Sequence, residues 1–476
     1  MSVERMSGVK HILIILVLGC WFLIPGAQAA SVTATRTLPI VYVNTQNGQS
    51  ITDTETQIPA TVYIDSVLTE YRSLGSASAP LPATIKGRGN WTWSAFDKKP
   101  YKLKFDVKQK VLGMPNNRHW CLIAAADDWL GFLKMPSGLR ISRAVGLRWT
   151  PRTVPVELVL NGQYQGLYFL TEHVRIAKNR VNIHEQADLE THPDSITGGW
   201  LVEIDNYPSE GNIRFTEGNG QHVMVSLREP EVLSQPQRSY LENQIYGLND
   251  ALYQGLTTND QRPLHQILDL NEAAKYYLVQ ELMEDCESYH GSCFLYKDRD
   301  SLGVADKWKF GPVWDFGNAY DRHQETWIYV NPSFAQYWIG QLATWPEFQQ
   351  AVQEQWWIFY HQQKDSVRSD MRAFADKIEA AAKNDAKVWG GSQNYRDNSN
   401  FSDVRDRYFR RYDWRVQWLY SQWGEGIEPP TEDLWNGEWT KGRMDDEKNV
   451  RKVLHNGQLH ILRGDKVFTI TGLLVQ

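Results

Sequence analysis

Asp315-Phe316-Gly317 closes the apolar stretch Gly311-Pro312-Val313-Trp314 and sets a carboxylate where a strand would stop. A group of acids, Glu281, Glu284, Asp285 and Glu287, falls at the end of a helix-spaced segment. Far upstream, Lys102, Lys104 and Asp106 alternate with Tyr101, Leu103, Phe105 and Val107. That is the period of a half-buried strand with a cationic face. These residue types together suit phosphoryl transfer. The reaction asks for a divalent cation bridging phosphate oxygens, a cation on the phosphates and a carboxylate to take the acceptor's proton. Mg2+ is a hard ion that takes one or two carboxylates plus phosphates and water. Each feature alone is common, since alternating lysines usually mark a solvated strand face and acids at a helix end usually mark surface charge.

The elements that must position these groups can be read along the chain. LPIVYVNT and PATVYID within residues 37–65 are strands. Residues 83–108 carry a glycine-bearing turn, Gly87-Arg88-Gly89-Asn90-Trp91, ahead of the lysine strand. Asp127 and Asp128 are placed to cap a helix running to about Val145. Residues 154–174 read as a hairpin around Asn161-Gly162, the pair a type I′ turn favours. Residues 198–205 form another strand. Helical spacing follows over 236–256 and 271–284, the latter capped by Asp269 or Asn271. Strands return over 292–320, and long aromatic-rich helices cover 346–390 and 401–423. The order is strands with one helix, then helices with an inserted hairpin, which predicts an α+β, two-lobed arrangement. The expected divisions are an N-lobe over 35–175, a C-lobe over 176–425, a linker over 426–449 and a β-hairpin tail over 450–476 with its own turn at Asn456-Gly457.

The first residues differ from the rest. Arg5, Lys10 and His11 precede the apolar run Ile12 to Leu18, which Trp21 to Ile24 extends, and Ala27-Gln28-Ala29 follows. This is the pattern of a secretory signal peptide spanning 1–29. The run is shorter than the roughly 20 residues a spanning helix needs. Leu18-Gly19-Cys20 resembles a lipoprotein box, but the residues after Cys20 stay apolar, which favours cleavage after Ala29 over a lipid on Cys20. The expected location is periplasmic, outer-membrane-associated or extracellular, with no membrane span in the mature chain. A formal net charge of −6 leaves no basic footprint for nucleic acid. Cys121, Cys286 and Cys293 remain after signal removal, an odd number with no C-x-x-C pair, so neither a disulfide framework nor a zinc site is predicted.

The order of parts is lysine strand, helix, hairpin, helical segment, acids, hairpin, D-F-G, as in a protein kinase. Several blocks carry a more specific likeness: IKGRGNWTW at 85–93, KKPYKLKF at 98–105, VPVELVLNGQYQGLYFLTEHV at 154–174, NRVNI at 179–183, GGWLVEID at 198–205, YYLVQELMEDCESYHGSCFLYKD at 276–298 and GPVWDFGNAYD at 311–321. In these the sequence resembles the spore-coat protein H (CotH) kinase-like family of secreted or surface atypical kinases. The resemblance implies an atypical kinase-like two-lobed fold and phosphorylation of a protein acceptor with ATP and Mg2+ or Mn2+. It implies that Asp315 is a metal ligand. Members commonly continue W-D-F-D, where this chain has Gly317 and then Asn318, so a second metal role for Asn318 is open. Members commonly show N-x-D after the helix, with the Asp as base. Asp285 stands at the Asn and Glu287 at the Asp, so either is a candidate base. Lys102 and Lys104 both fit the phosphate-binding strand, Arg88 falls in the glycine-bearing turn and Glu172 near the nucleotide hinge. The tail resembles the short C-terminal sorting tails of secreted Bacteroidetes proteins. Two other readings stand beside the active kinase. One is a catalytically inactive surface scaffold, which Glu287 and the absent second acid favour. The other is a glycan-binding protein, which the 20 tryptophans motivate, with Trp93, Trp120 or Trp129 as platforms.

Overall fold

The computed structural model describes residues 32–429 and the strands of 450–469, except 67–69, 206–212, 217–221, 259–261, 302, 323–324, 331–337, 456–457 and 464–465. The signal peptide, Cys20, most of the linker and the Asn456-Gly457 turn therefore lie outside the described residues.

The chain opens with strands β1 (Ile40–Thr45), β2 (Ile58–Asp65) and β3 (Leu81–Gly87), a short helix α1 (Trp91–Ala95), then β4 (Tyr101–Val111) and β5 (Met114–Ile123). Helix α2 (Lys134–Ala144) precedes the hairpin β6 (Thr153–Leu160) and β7 (Gln163–Glu172). These seven strands close into a barrel in the order β1-β2-β3-β4-β5-β7-β6, sealed by parallel pairing of β1 with β6. Alternation explains the interior. Val41, Val62, Ile85, Leu103, Phe105, Trp120, Leu122, Val156, Tyr168 and Leu170 fill it as one apolar core. A closed sheet leaves no edge strand to pair with another chain. The Asn161-Gly162 turn is built as the sequence predicts, with φ of 50° and 77°.

The second half has its own sheet. Strands β8 (Trp200–Ile204), β9 (Ile213–Thr216) and β10 (His222–Glu229) are followed by helices α3 (Gln235–Thr258), α4 (Arg262–Ile267) and α5 (Leu270–Met283), then by β11 (Cys293–Lys297) and β12 (Lys309–Phe310). The sheet order is β12-β11-β8-β10-β9. Helices α6 (Trp338–Leu342), α7 (Pro346–Ile358), α8 (Lys364–Trp389) and α9 (Phe401–Trp423) complete a large core that buries Trp200, Trp308, Trp338 and Trp356. Strands β13 (Val450–His455), β14 (Gln458–Arg463) and β15 (Lys466–Thr469) make a separate antiparallel sheet, one strand more than the expected hairpin. No helix among the described residues is long and apolar enough to cross a membrane.

The α+β expectation holds, with four departures. The strand-rich half is a closed barrel rather than the open sheet of a kinase-like lobe, because β1 returns to pair with β6. The alternation on β4 ends early: the register shifts after Lys104, and Val107 is 67% exposed beyond the barrel rim. The helix expected from Asp127 begins only at Lys134, six residues after Asp128, whose carboxylate accepts the Lys134 amide at 2.9 Å. Most of 311–320 is irregular rather than strand, because Asp315 and Tyr320 take left-handed φ of 55° and 59°. Asp269 does cap α5, accepting from the Glu272 amide at 3.1 Å. The three cysteines described are buried and free.

Candidate active site

The turn at Asp315 is fixed by three local facts. Its carboxylate Oδ1 accepts the Gly317 amide at 3.1 Å, which offsets the cost of a left-handed aspartate. Phe316 is buried against α2, where Gly138 leaves the room, since a Cβ there would stand 2.3 Å from the ring. Lys134, at the start of α2, is 1% exposed and donates to the Gly317 carbonyl at 2.7 Å and to Asp321 at 2.5 Å. Asp315 is thereby held outward from a rigid support, and it is exposed.

It faces a cleft of about 450 Å3 between the outside of the barrel and the second sheet. The barrel side is cationic. Arg88, from the turn after β3, lies 5.5 Å over the Trp314 ring, and Lys102 from β4 and Arg175 after β7 stand near it. Burial, joined by the nearby cations Lys86, Arg175 and Arg88, lowers the Lys102 ammonium below its usual range, against an opposing pull from Cys121. Burial, with Arg175 and Lys102 among the nearby charges, depresses His119 to about 3 and His173 well below an ordinary imidazole, so both rings are neutral donors or acceptors.

The opposite side is acidic: Glu203 and Asp205 from and after β8, Glu287, Asp315 and Asp127. Burial and the neighbouring Asp315 push Glu287 up to about 7, partly offset by the Asn318 amide, which donates to Glu287 Oε2. Burial, with Asp315 next in weight, likewise carries Asp127 to about 7. Arg228 spans Glu203 at 2.6 Å and Asp205 at 2.5 Å. A side annexe of about 50 Å3 joins at Arg88, Asp127, Trp314 and Asp315 and runs in toward Lys98 and Lys134.

The fold thus brings together Arg88, Lys102, Glu287, Asp315 and Asn318 of the residues singled out in the sequence. Three others stand elsewhere. Lys104 shares a strand face with Lys102 but sits two residues, about 7 Å, further along β4 and does not line the cleft. Glu172 is fully buried, 2.6 Å from Arg180 and 3.1 Å from Arg152, so its oxygens are committed to structure. Asp285 is 1% exposed behind the cleft wall. Its Oδ1 accepts the Glu287 amide at 3.3 Å, which makes it a support for Glu287, and among the described residues its Oδ2 has no partner. Burial and the charges of Glu287 and Asp315 push its carboxyl well up. Of the acid group, Glu281 is bound by Arg415 at 2.7 Å inside the helical core. Of the proposed glycan platforms, Trp120 is buried under Arg180, Trp129 donates to Asp321 at 2.6 Å, and Trp93 is half-buried with Lys99 5.4 Å over its ring.

Sequence reasoning missed Asp127 as a cleft residue, together with Arg175, Glu203, Asp205 and Lys134. Glu203 and Asp205 did carry a signal, two acids at strand period in an otherwise apolar run. Lys134 carried none. Among the described residues, no three His, Cys, Asp or Glu side chains make a ready-made metal centre. The donor set instead suits a hard cation shared with phosphates: the carboxylates of Asp127, Asp315 and Glu287 line one wall, burial and the Asp315 charge raise Asp127 and Glu287, and among the described residues the Asp285 Oδ2 behind them is an orphan.

A barrel carrying a cationic rim, set against a mixed sheet carrying an acidic turn, defines an α+β protein with a charge-divided cleft. The CotH kinase protein family matches residues 85–419, which include every cleft residue named above, and the chain belongs to that family. No curated protein matches the chain.

Proposed function

We propose that this chain is an atypical kinase that transfers the terminal phosphoryl group of ATP to a hydroxyl of a protein acceptor outside the cytoplasm. The observation that carries the reading is one cleft in which Asp315 and Glu287 face Lys102 and Arg88. Lys102 and Arg88 supply the positive charge that phosphate oxygens require. Asp315, with the Asn318 oxygen beside it, would hold Mg2+ or Mn2+. The bound ion would neutralise charge on the phosphate oxygens. Glu287 is the residue that takes the acceptor's proton. A carboxylate with a pKa near 7 is matched to that task at neutral pH. Its longer side chain is steadied by Asn318 on one side and by the Asp285 contact to its amide on the other. The signal-peptide pattern of residues 1–29 supports action after export.

The test is calorimetric titration of the purified protein with ATP and Mg2+, followed by transfer of labelled phosphate to itself or to exported proteins. Asp315→Asn is expected to weaken metal-dependent nucleotide binding about 10–100-fold. Glu287→Gln is expected to keep binding and to lower transfer about 10²–10⁴-fold. Wild-type protein that binds no nucleotide up to millimolar concentration defeats the proposal. Binding without transfer, in wild type and Glu287→Gln alike, would assign the chain to the non-catalytic, scaffold reading.

A further inference from the structure

We infer that Asp127 supplies the second carboxylate of the metal site, in the place that the side chain of residue 317 would otherwise occupy. The inference rests on the proposed nucleotide–metal site. Its own observation is steric. A Cβ built on Gly317 would stand 2.4 Å from Asp127 Oδ2 and 3.3 Å from Asp315 Oδ1. The Asp127 carboxylate therefore already fills the volume into which a residue at 317 would project, and it does so beside Asp315. The backbone at Gly317 does not have a left-handed φ, so conformation does not require glycine there. What requires it is the oxygen of Asp127.

The loop holds Asp127 in that position by its neighbours. Asp128 accepts the amides of Leu130 at 2.8 Å and Lys134 at 2.9 Å, and its own amide reaches the Ala125 carbonyl at 3.2 Å. Asn398, between α8 and α9, donates to the Asp128 carbonyl at 3.0 Å. Among the described residues no other side chain hydrogen-bonds the Asp127 carboxylate, which has its own backbone amide and the charge of Lys134 near it and lines both the cleft and its annexe. The two carboxylates flank Gly317 and come from different segments, Asp315 from the irregular turn and Asp127 from the loop before α2. A hard cation that takes one or two carboxylates fits between them.

The experiment follows Mn2+ binding by electron paramagnetic resonance, with a non-hydrolysable ATP analogue present, in the whole purified protein. Asp127→Asn is expected to weaken Mn2+ binding about 10–100-fold, as much as Asp315→Asn. Gly317→Asp alone is expected to lose binding as well, because the new Cβ meets Asp127. The pair Asp127→Gly with Gly317→Asp moves the carboxylate to position 317 and is expected to recover most of the affinity. Wild-type affinity in Asp127→Asn, with Asp315→Asn impaired, overturns the inference and leaves the kinase reading standing. Failure of the folded pair to bind better than Gly317→Asp also overturns it. No Mn2+ binding by wild type removes both.

Discussion

Lys98 and Asp385 form an ion pair with almost no contact with water, their side chains 1% and 0% exposed and 2.7 Å apart. The pair joins the segment before β4 to α8, and so ties the barrel to the helical half. Lys98 also donates to the Leu167 carbonyl at 2.6 Å. Asp385 accepts the Leu167 amide at 2.8 Å and the Tyr395 hydroxyl at 2.6 Å. Gly166 makes the approach possible, since a Cβ there would stand 2.1 Å from Asp385 Oδ1. Lys98→Met keeps the packing volume and deletes the cation. Asp385 then keeps two neutral donors and no counter-charge in a place where burial already raises its carboxyl. Removing one partner of such a pair costs about 3–5 kcal/mol, a large share of a typical total of about 5–15 kcal/mol. Adding Asp385→Asn to Lys98→Met should return about 2 kcal/mol of that, because the stranded charge is gone while an acceptor remains. Calorimetric melting of wild type, both single variants and the double gives the cycle. A Lys98→Met variant within about 0.5 kcal/mol of wild type, or singles that simply add, would refute the argument.

Two further outcomes follow from the same geometry. Gly138→Ala drives a methyl into the Phe316 ring and should cost about 1–3 kcal/mol by overpacking, read as a lower melting temperature, with weaker binding at the proposed nucleotide site because Phe316 anchors the Asp315 turn. Glu229, raised to about 7 chiefly by burial against a lowering pull from Arg175, gives a pH test. Its folded pKa lies above the unfolded 4.5, so the folded state holds an extra proton in between, and stability falls as pH rises from about 4.5 through about 7. Glu229→Gln should therefore stabilise the protein at pH 8, by up to about 3 kcal/mol, and leave it unchanged at pH 4. An equal effect at both pH values would show that the carboxyl charge is not the cause.

The local elements were legible where one period dominated. Asn161-Gly162 announced its hairpin, Asp269 its helix cap, and the apolar spacing of α3 and the aromatic-rich run of α9 placed both helices within one or two residues. Closure of the barrel was not legible, because it depends on β1 meeting β6 more than a hundred residues later, and pairing partners leave no mark on the period of either strand. The long helical run after Pro346 hid a break: five residues, Phe359–Gln363, take a wider π turn between α7 and α8. In the site, Asp315 and Glu287 stood out because the sequence pattern set them at element ends, although β12 and α5 stop at Phe310 and Met283. Asp127 was read as a helix cap, a role that its neighbour Asp128 fills in part, and only the approach of two distant loops shows what it faces. Glu172 stood out for its place in the chain, yet two arginines invisible to local pattern had already claimed it.

The charge arrangement carries a cost that the fold bears without need. Asp127, Glu203, Glu229 and Glu287 are each pushed to about 7, burial first, with the Asp315 charge next for Asp127 and Glu287 and an opposing arginine next for Glu203 and Glu229. Asp127, Glu229 or Glu287 could be an amide and the protein would gain stability near neutral pH, whereas Glu203 is committed to Arg228. Lys102, across the cleft, is pulled the other way by burial and by Lys86, Arg175 and Arg88. Like charges crowded on each of two facing walls oppose folding. Both penalties are relieved at once by a ligand that brings a cation to the acidic wall and anions to the basic one. A metal–phosphate complex has that polarity, whereas a neutral sugar relieves neither wall, and this is the physical reason to prefer the nucleotide over the glycan as the occupant. Ligand-induced stabilisation follows as RT ln(1 + [L]/Kd), about 2.7 kcal/mol at a hundredfold excess over Kd. ATP with Mg2+ should therefore raise the melting temperature more than ATP with a chelator. Equal shifts with and without the metal would mean that the acidic wall has another purpose.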